Sequence, residues 1–195
     1  MPVEKRRRRP PWVGEVERVD HAVYAAVAGT ETPLLDGAMR RLSDAANYSR
    51  LSIAAGAVLA VSGGAAGRRA AATGLASVAA TSAFVNVVVK RIGRRRRPNR
   101  DAQDVPEARH VPMPTSRSFP SGHTACAIAF ASGVGATMPL TSVPLHCLAT
   151  VVAYSRVHTG VHYPGDVLAG ALIGAVIGDA TANVIDKQLG GRTAG

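Results

Sequence analysis

Apolar and charged positions alternate through residues 20–47, and from residue 51 onward the chain becomes a series of apolar runs divided by polar stretches. In the first part Val23, Val27, Leu34, Leu35, Met39 and Leu42 recur at roughly helical spacing beside charges. That pattern predicts an amphipathic helix, a break at the GTETP stretch of residues 29–33, and a second helix. Such a segment either packs on the protein body or lies at a membrane interface. The apolar runs are 51–67, 70–89, 124–138, 140–154 and 167–178, the last continuing past Asp179 to Ile185. A helix crossing a bilayer needs about 20 mostly apolar residues. The run 70–89 meets that outright, with 20 residues and no charge. The other runs are shorter but rich in Gly, Ala and Ser, which membrane helix interfaces favour.

These patterns predict an all-α integral membrane bundle of about five transmembrane helices plus the N-terminal amphipathic segment. The alternative is a soluble helical protein with buried helices. Residues 1–19 read as a basic, partly disordered tail, 20–187 as one helical domain, and 188–195 as a C-terminal tail. No repeat of 20 to 50 residues is evident.

Length and charge sharpen this reading. The 195 residues suit one domain, and Lys plus Arg outnumber Asp plus Glu by 23 to 13. That excess implies an anionic partner: a nucleic acid, a phosphorylated substrate or a lipid surface. Cys126 and Cys147 sit in apolar runs and form neither a metal-type spacing nor a disulfide framework. The N-terminal KRRRRP has no apolar stretch directly behind it, so no cleavable signal peptide is expected.

Three polar clusters carry candidate chemistry. The first is KRIGRRRRPNR, residues 90–100, which opens a long proline-rich loop. It lacks interleaved aromatics and no recognition-helix pattern follows, which argues against nucleic acid. As a phosphate site it offers Lys90 as a point charge and Arg97 as a bidentate fork. Arg97 precedes Pro98 and is pushed towards extended backbone. The second cluster is PSGH, residues 120–123, ahead of an apolar run. Ser121 suits a helix N-cap, Gly122 permits close backbone approach, and the first-turn N–H groups suit an anion. His123 there could serve an anionic ligand as a proton donor. The third is SRVHTGVHYPGD, residues 155–166. Arg156 is another anion ligand. A carboxylate at Asp166 can fix the tautomer of His162 and leave its other nitrogen as nucleophile or base. A zinc site could draw on His158, His162 and Asp166, but Gly160 and Pro164 argue against one regular helix displaying all three.

Together and in this order, the clusters resemble the phosphatidic acid phosphatase type 2 superfamily, which also includes vanadium haloperoxidases and bacterial nonspecific acid phosphatases. The family pattern is K-x6-R-P, then P-S-G-H, then S-R-x5-H-x3-D. It reads here as Lys90 to Pro98, Pro120 to His123 and Ser155 to Asp166, without departure. The resemblance covers roughly residues 85–180, and the first 45 residues hold no family residue. It implies that His162 attacks phosphorus to form a phosphohistidine and that Asp166 orients it. It implies that His123 protonates the leaving oxygen and then activates water. Lys90, Arg97, Ser121, Gly122 and Arg156 would hold the phosphate, with no metal or other cofactor required.

The expectation is therefore a lipid phosphatase of the cell membrane with a lipid phosphate as partner and no nucleic acid. Candidate substrates are phosphatidic acid, phosphatidylglycerol phosphate, polyprenyl diphosphate and polyprenyl phosphoribose. A vanadate-dependent haloperoxidase, usually a much longer chain, and a non-enzymatic basic membrane protein that binds anionic lipid are the alternatives. Helix faces rich in small residues serve a homo-oligomer as well as they serve internal packing. Two apolar runs lie between the second and third clusters. If both cross the membrane, all three clusters share one face. With the N-terminus placed there too, that face takes 19 of the 23 Lys and Arg, leaving Arg68, Arg69, Lys187 and Arg192 opposite. The positive-inside rule places the site in the cytoplasm.

Overall fold

The computed structural model describes residues 10–92 and 95–190. Among them every regular element is helical. Prolines at the first helical turn, where a missing N–H is harmless, start α1 (Pro11–Gly29) and α2 (Pro33–Ala45). The break between them falls at Thr30–Thr32, inside the expected stretch. The start of α1 corrects the expected tail of residues 1–19. Trp12, Val16 and Val19 continue the apolar stripe of Val23 upstream of Asp20, so the helix starts at Pro11. Residues 1–9 of that tail, and 191–195 of the C-terminal one, lie outside the described residues. At the other end the last helix runs through residue 188, where the C-terminal tail was expected to begin.

A 3₁₀ turn (Asn47–Ser49) leads into α3 (Arg50–Ser62). The run expected to continue to residue 67 instead reverses at Gly63–Gly64. Gly64 takes φ +59°, and a Cβ at Gly67 would lie 2.2 Å from the Leu59 carbonyl oxygen. Only glycine satisfies the first demand without strain and the second without a clash. The next helix, α4 (Gly64–Phe84), passes through a π-turn (Val85–Val89) into a short α5 (Lys90–Ile92). After the proline-rich loop come α6 (Gly122–Gly135), α7 (Pro139–His158) and α8 (Pro164–Gly190).

Helix α6 is the central element, packed against α4, α7 and α8. Its contact with α8 is backbone to backbone. A Cβ at Gly170, Gly174 or Gly178 would lie 2.5, 2.3 or 2.9 Å from the carbonyl oxygens of Ser121, Ala125 and Ala129. This is a small-residue stripe at a spacing of four, which brings two helix axes close. The opposite face of α8 presents Leu168, Leu172 and Val176 outward, each more than 60% exposed. Among the described residues two helical stretches, Gly64–Val89 and Pro164–Gln188, are long and apolar enough to cross a membrane. Of the other three expected crossings, α3 and α6 have 13 and 14 residues, about 20 Å of helix at 1.5 Å per residue.

Because α6 and α7 run in opposite directions, the N-terminus of α6 and the C-terminus of α7 share one end of the bundle. The Ser121 N–H donates to the Asp166 carbonyl at 2.9 Å, joining the second and third clusters directly. At the other end Arg69 pairs with Asp186 at 2.8 Å.

Candidate active site

His162 lies in the turn between α7 and α8 and is 1% exposed. Its Nε2 faces Arg97 Nη1 at 3.1 Å. A guanidinium can only donate, so Nε2 carries the lone pair and the ring proton belongs on Nδ1. That nitrogen faces Asp166 Oδ2 at 3.6 Å, ion-pair separation just beyond a hydrogen bond. Burial is the main cause pulling the His162 pKa down to about 4; Asp166 opposes it, and the cations Arg97 and Arg156 add to the depression. The ring is thus held neutral, in the tautomer that leaves Nε2 as a nucleophile.

Asp166 is itself fixed by three donors. Arg95 Nη1 donates to Oδ1 at 3.0 Å, the Tyr163 N–H donates to Oδ2 at 2.9 Å, and the Ser118 hydroxyl donates to Oδ2. Arg95 also pairs with Asp20 of α1 and stacks over the Tyr163 ring at 4.1 Å. Gly165 is pinned as well, its N–H donating to Asp20 Oδ1 at 2.7 Å.

The cations arrive from three elements. Lys90 follows the π-turn, a distortion often found at functional positions. Its Nζ donates to Ser116 Oγ at 3.3 Å and lies 3.7 Å from where a Cβ on Gly122 would stand. Burial, and then the nearby Arg97, lower its pKa. Arg97 reaches the same hydroxyl through Nη2 at 3.2 Å, and also donates to the Val161 carbonyl at 2.7 Å and the Ser116 carbonyl at 2.9 Å. Two cations therefore converge on one oxygen. Arg156 is 1% exposed and donates through Nη1 to the Ser43 carbonyl at 2.9 Å and to Ser43 Oγ at 2.6 Å. Its buried Nε has no hydrogen-bond partner among the described residues.

At the mouth of α6 the N–H groups of Gly122 and His123 belong to the first turn, where no intrahelical acceptor exists. Ser121 is fully buried; its hydroxyl pairs with the Thr124 hydroxyl at 3.0 Å and caps the Thr124 N–H at 3.5 Å. That is the capping role, and it sets the register of the turn rather than offering a free hydroxyl. His123 Nε2 meets Asn47 Oδ1 at 2.9 Å. A cavity of about 210 Å³ is lined by Lys90, Gly122, His123, Ser49 and Asn86. A narrower apolar recess, lined by Leu51, Phe130, Leu145 and Val152, shares His123, Ser49 and Cys126 with it.

All eight residues anticipated from sequence thus gather at one end of the bundle, in contact with one another or one residue removed. His158, the third member of the zinc set, is turned away towards Asp36 and Thr32. Sequence reasoning missed Arg95, Ser118, Asp20, Ser43 and Asn47. Arg95 sits in a run of like residues, and the other four are residue types common in turns and on helix surfaces.

Residues 71–189 match the family model of the PAP2 superfamily. A decaprenylphosphoryl-5-phosphoribose phosphatase of Mycobacterium tuberculosis is 37% identical over 123 residues, 59% of this chain and 62% of the relative. The chain thus spans less than two thirds of that relative's length. The protein of the same name from Mycolicibacterium smegmatis is 38% identical over 153 residues, 76% of this chain and 77% of its own. Among solved structures, Aquifex aeolicus LpxE superposes with a TM-score of 0.71 at 24% identity, covering 85% of this chain and 95% of that one. A transmembrane PAP2 type phosphatidylglycerolphosphate phosphatase of Bacillus subtilis gives 0.66 at 23% identity, covering 89% and 87%. At these identities the structures establish the fold. With the family model matched over most of its bundle and the three motifs brought to one end of it, this chain belongs to the PAP2 superfamily.

Proposed function

We propose that this protein is a membrane lipid phosphatase that works through a phosphohistidine on His162. The observation that supports it most is the orientation of His162, whose Nε2 lone pair faces cations while its Nδ1 side faces a carboxylate. In the first step Nε2 forms a bond to phosphorus as the bond to the leaving oxygen breaks, and His123 gives that oxygen a proton. In the second step His123 takes a proton from water, the water oxygen bonds to phosphorus, and the N–P bond breaks. Lys90, Arg97, Arg156 and the N–H groups of Gly122 and His123 hold the phosphoryl oxygens and their growing charge. Ser121 contributes by fixing the turn that presents those N–H groups. A phosphate oxygen takes the place that the Ser116 hydroxyl holds between Lys90 and Arg97. Losing one such donor typically costs about 2.7 to 4 kcal/mol of transition-state stabilisation.

The substrate class follows from the setting. The apolar recess beside His123 and the apolar outer faces of α7 and α8 fit a phosphate carried on a lipid. Polyprenyl phosphoribose is the first candidate, because the mycobacterial relatives are named for that activity. In this reading α3, α4, α6, α7 and α8 insert together, the short α6 shielded by its longer neighbours and the short α3 packed on α4. The cation-rich site end faces the cytoplasm by the positive-inside rule.

The test is phosphate release by purified protein in detergent, with EDTA present. The panel is polyprenyl phosphoribose, polyprenyl diphosphate, phosphatidylglycerol phosphate and phosphatidic acid, with His162→Ala alongside. The expected result is EDTA-resistant release that the substitution abolishes. Equal release by His162→Ala, or none from any lipid, overturns the reading.

A further inference from the structure

The family match begins at residue 71, yet three residues of the proposed mechanism are held by the chain before it. Asn47 Oδ1 accepts from His123 Nε2 at 2.9 Å. Ser43 takes Arg156 Nη1 on both its carbonyl and its hydroxyl oxygen, at 2.9 and 2.6 Å. Asp20 holds Arg95, which in turn holds Asp166 at 3.0 Å. Each anchor serves a different member of the site: the acid/base histidine, a buried phosphate-binding arginine and the orienting carboxylate.

The backbone that delivers Asn47 is unusual. Tyr48 and Ser49 are consecutive non-glycine residues in the left-handed region, at φ 56° and 55°. L-residues visit that region rarely and at a cost, and strained turns of this kind cluster where a side chain must be aimed. Here the turn seats Asn47 against His123 while Tyr48 stays 83% exposed.

We propose that α1, α2 and the Asn47–Ser49 turn form a positioning arm of the active site, in which Asn47 sets the orientation of His123. The proposal rests on the phosphatase reading above. Its chemical logic lies in the amide. An amide oxygen accepts from an Nε2–H that is present in both the imidazolium and one neutral tautomer of histidine. Asn47 therefore holds the ring through a full proton cycle without adding charge. The charged and titratable groups that face His123 are Arg156 from α7, His162 from the turn before α8, Lys90 from α5 and Arg97 from the loop. Three of these are permanent or near-permanent cations, so a neutral acceptor leaves the ring free to surrender its proton.

The experiment compares wild type, Asn47→Asp and Asn47→Leu as full-length protein in detergent, on the best lipid of the panel, across pH. Asn47→Asp keeps the size and puts a carboxylate at hydrogen-bond distance from the ring. It holds the second ring proton to higher pH and moves the basic limb of the activity profile upward by about one unit or more. Asn47→Leu lowers kcat by roughly 10- to 100-fold with a smaller change in KM. Thermal unfolding checks that both variants are folded; should Asn47→Leu not fold, the Asn47→Asp profile alone decides. An active wild type whose profile is unmoved by Asn47→Asp overturns the arm and leaves the phosphatase reading intact. A wild type that releases no phosphate overturns the phosphatase reading, and with it the catalytic meaning of the arm.

Discussion

Two clusters of histidine, aspartate and arginine lie side by side at the end of α7, and they are built for opposite purposes. One is His162, Asp166 and Arg97. The other is His158, four residues before His162, with Asp36 and Arg109, and it is just as buried. In the second cluster His158 Nε2 stands 3.3 Å from Asp36 Oδ1 and 3.0 Å from Thr32 Oγ1. Arg109 donates to Asp36 at 2.8 Å, to the carbonyls of Val27, Ala28 and Thr30 at 3.1, 3.2 and 2.6 Å, and to Thr32 Oγ1 at 3.1 Å. A guanidinium has five N–H groups, and here all five are used by the protein. Nothing is left for a ligand. That cluster is a clasp that fastens the α1–α2 break to the loop after Arg100. In the site cluster Arg97 is as fully bonded, but one of its bonds goes to the His162 ring and one to a hydroxyl it shares with Lys90. Arg156 keeps an Nε with no partner among the described residues, and the histidine lone pair looks at a cation. Residue types do not separate a clasp from a site; what their donors and lone pairs face does.

The largest effect that follows concerns the two histidines. His162→Ala should bring phosphate release down by at least about 1,000-fold, as loss of a nucleophile does. His158→Asn should stay within about tenfold of wild type. Comparable losses in both would erase the distinction between the clusters. The arginines should divide in the same way, but on two different axes. Arg97→Leu is expected to lower kcat/KM by roughly 100- to 1,000-fold. Arg109→Leu removes the permanent cation from the buried Asp36, which typically costs about 3 to 5 kcal/mol of stability. Denaturant unfolding in detergent reads that loss, and an Arg109→Leu protein as stable as wild type would show that the clasp fastens nothing.

What could be read before the fold was known follows the same division. The three motifs were legible because each packs its chemistry into a few adjacent residues, and the helices because apolar periodicity is local. The GTETP break was legible for the same reason. The supporting contacts were not, because they exist only between distant parts of the chain. Asn47 meets His123 across 76 positions and Ser43 meets Arg156 across 113. Arg95, Arg96 and Arg97 are indistinguishable in a run of arginines, yet one fixes Asp166, one is exposed, and one faces His162. The reversal at Gly63–Gly64 was hidden inside an apolar run because small residues suit a helix interface and a tight turn equally.

The smallest effect is also the most specific to the site. Histidine is the neutral, nucleophilic form above its pKa, so the depression of His162 to about 4 extends that form downward in pH from the ordinary 6.5. The limb of kcat/KM that belongs to His162 in the free protein should therefore lie well on the acid side of 6. The substrate's own phosphate ionises near pH 6 and adds a limb of its own, so one profile does not isolate the histidine. A difference between two proteins on one substrate does, since the substrate's contribution is common to both. Removing the Arg97 guanidinium takes away one of the charges that depress His162. In Arg97→Leu the histidine limb should move up by roughly one unit, while Arg109→Leu should leave it where it was. A limb that moves in neither protein, or equally in both, would mean that Arg97 does not face the nucleophile during turnover.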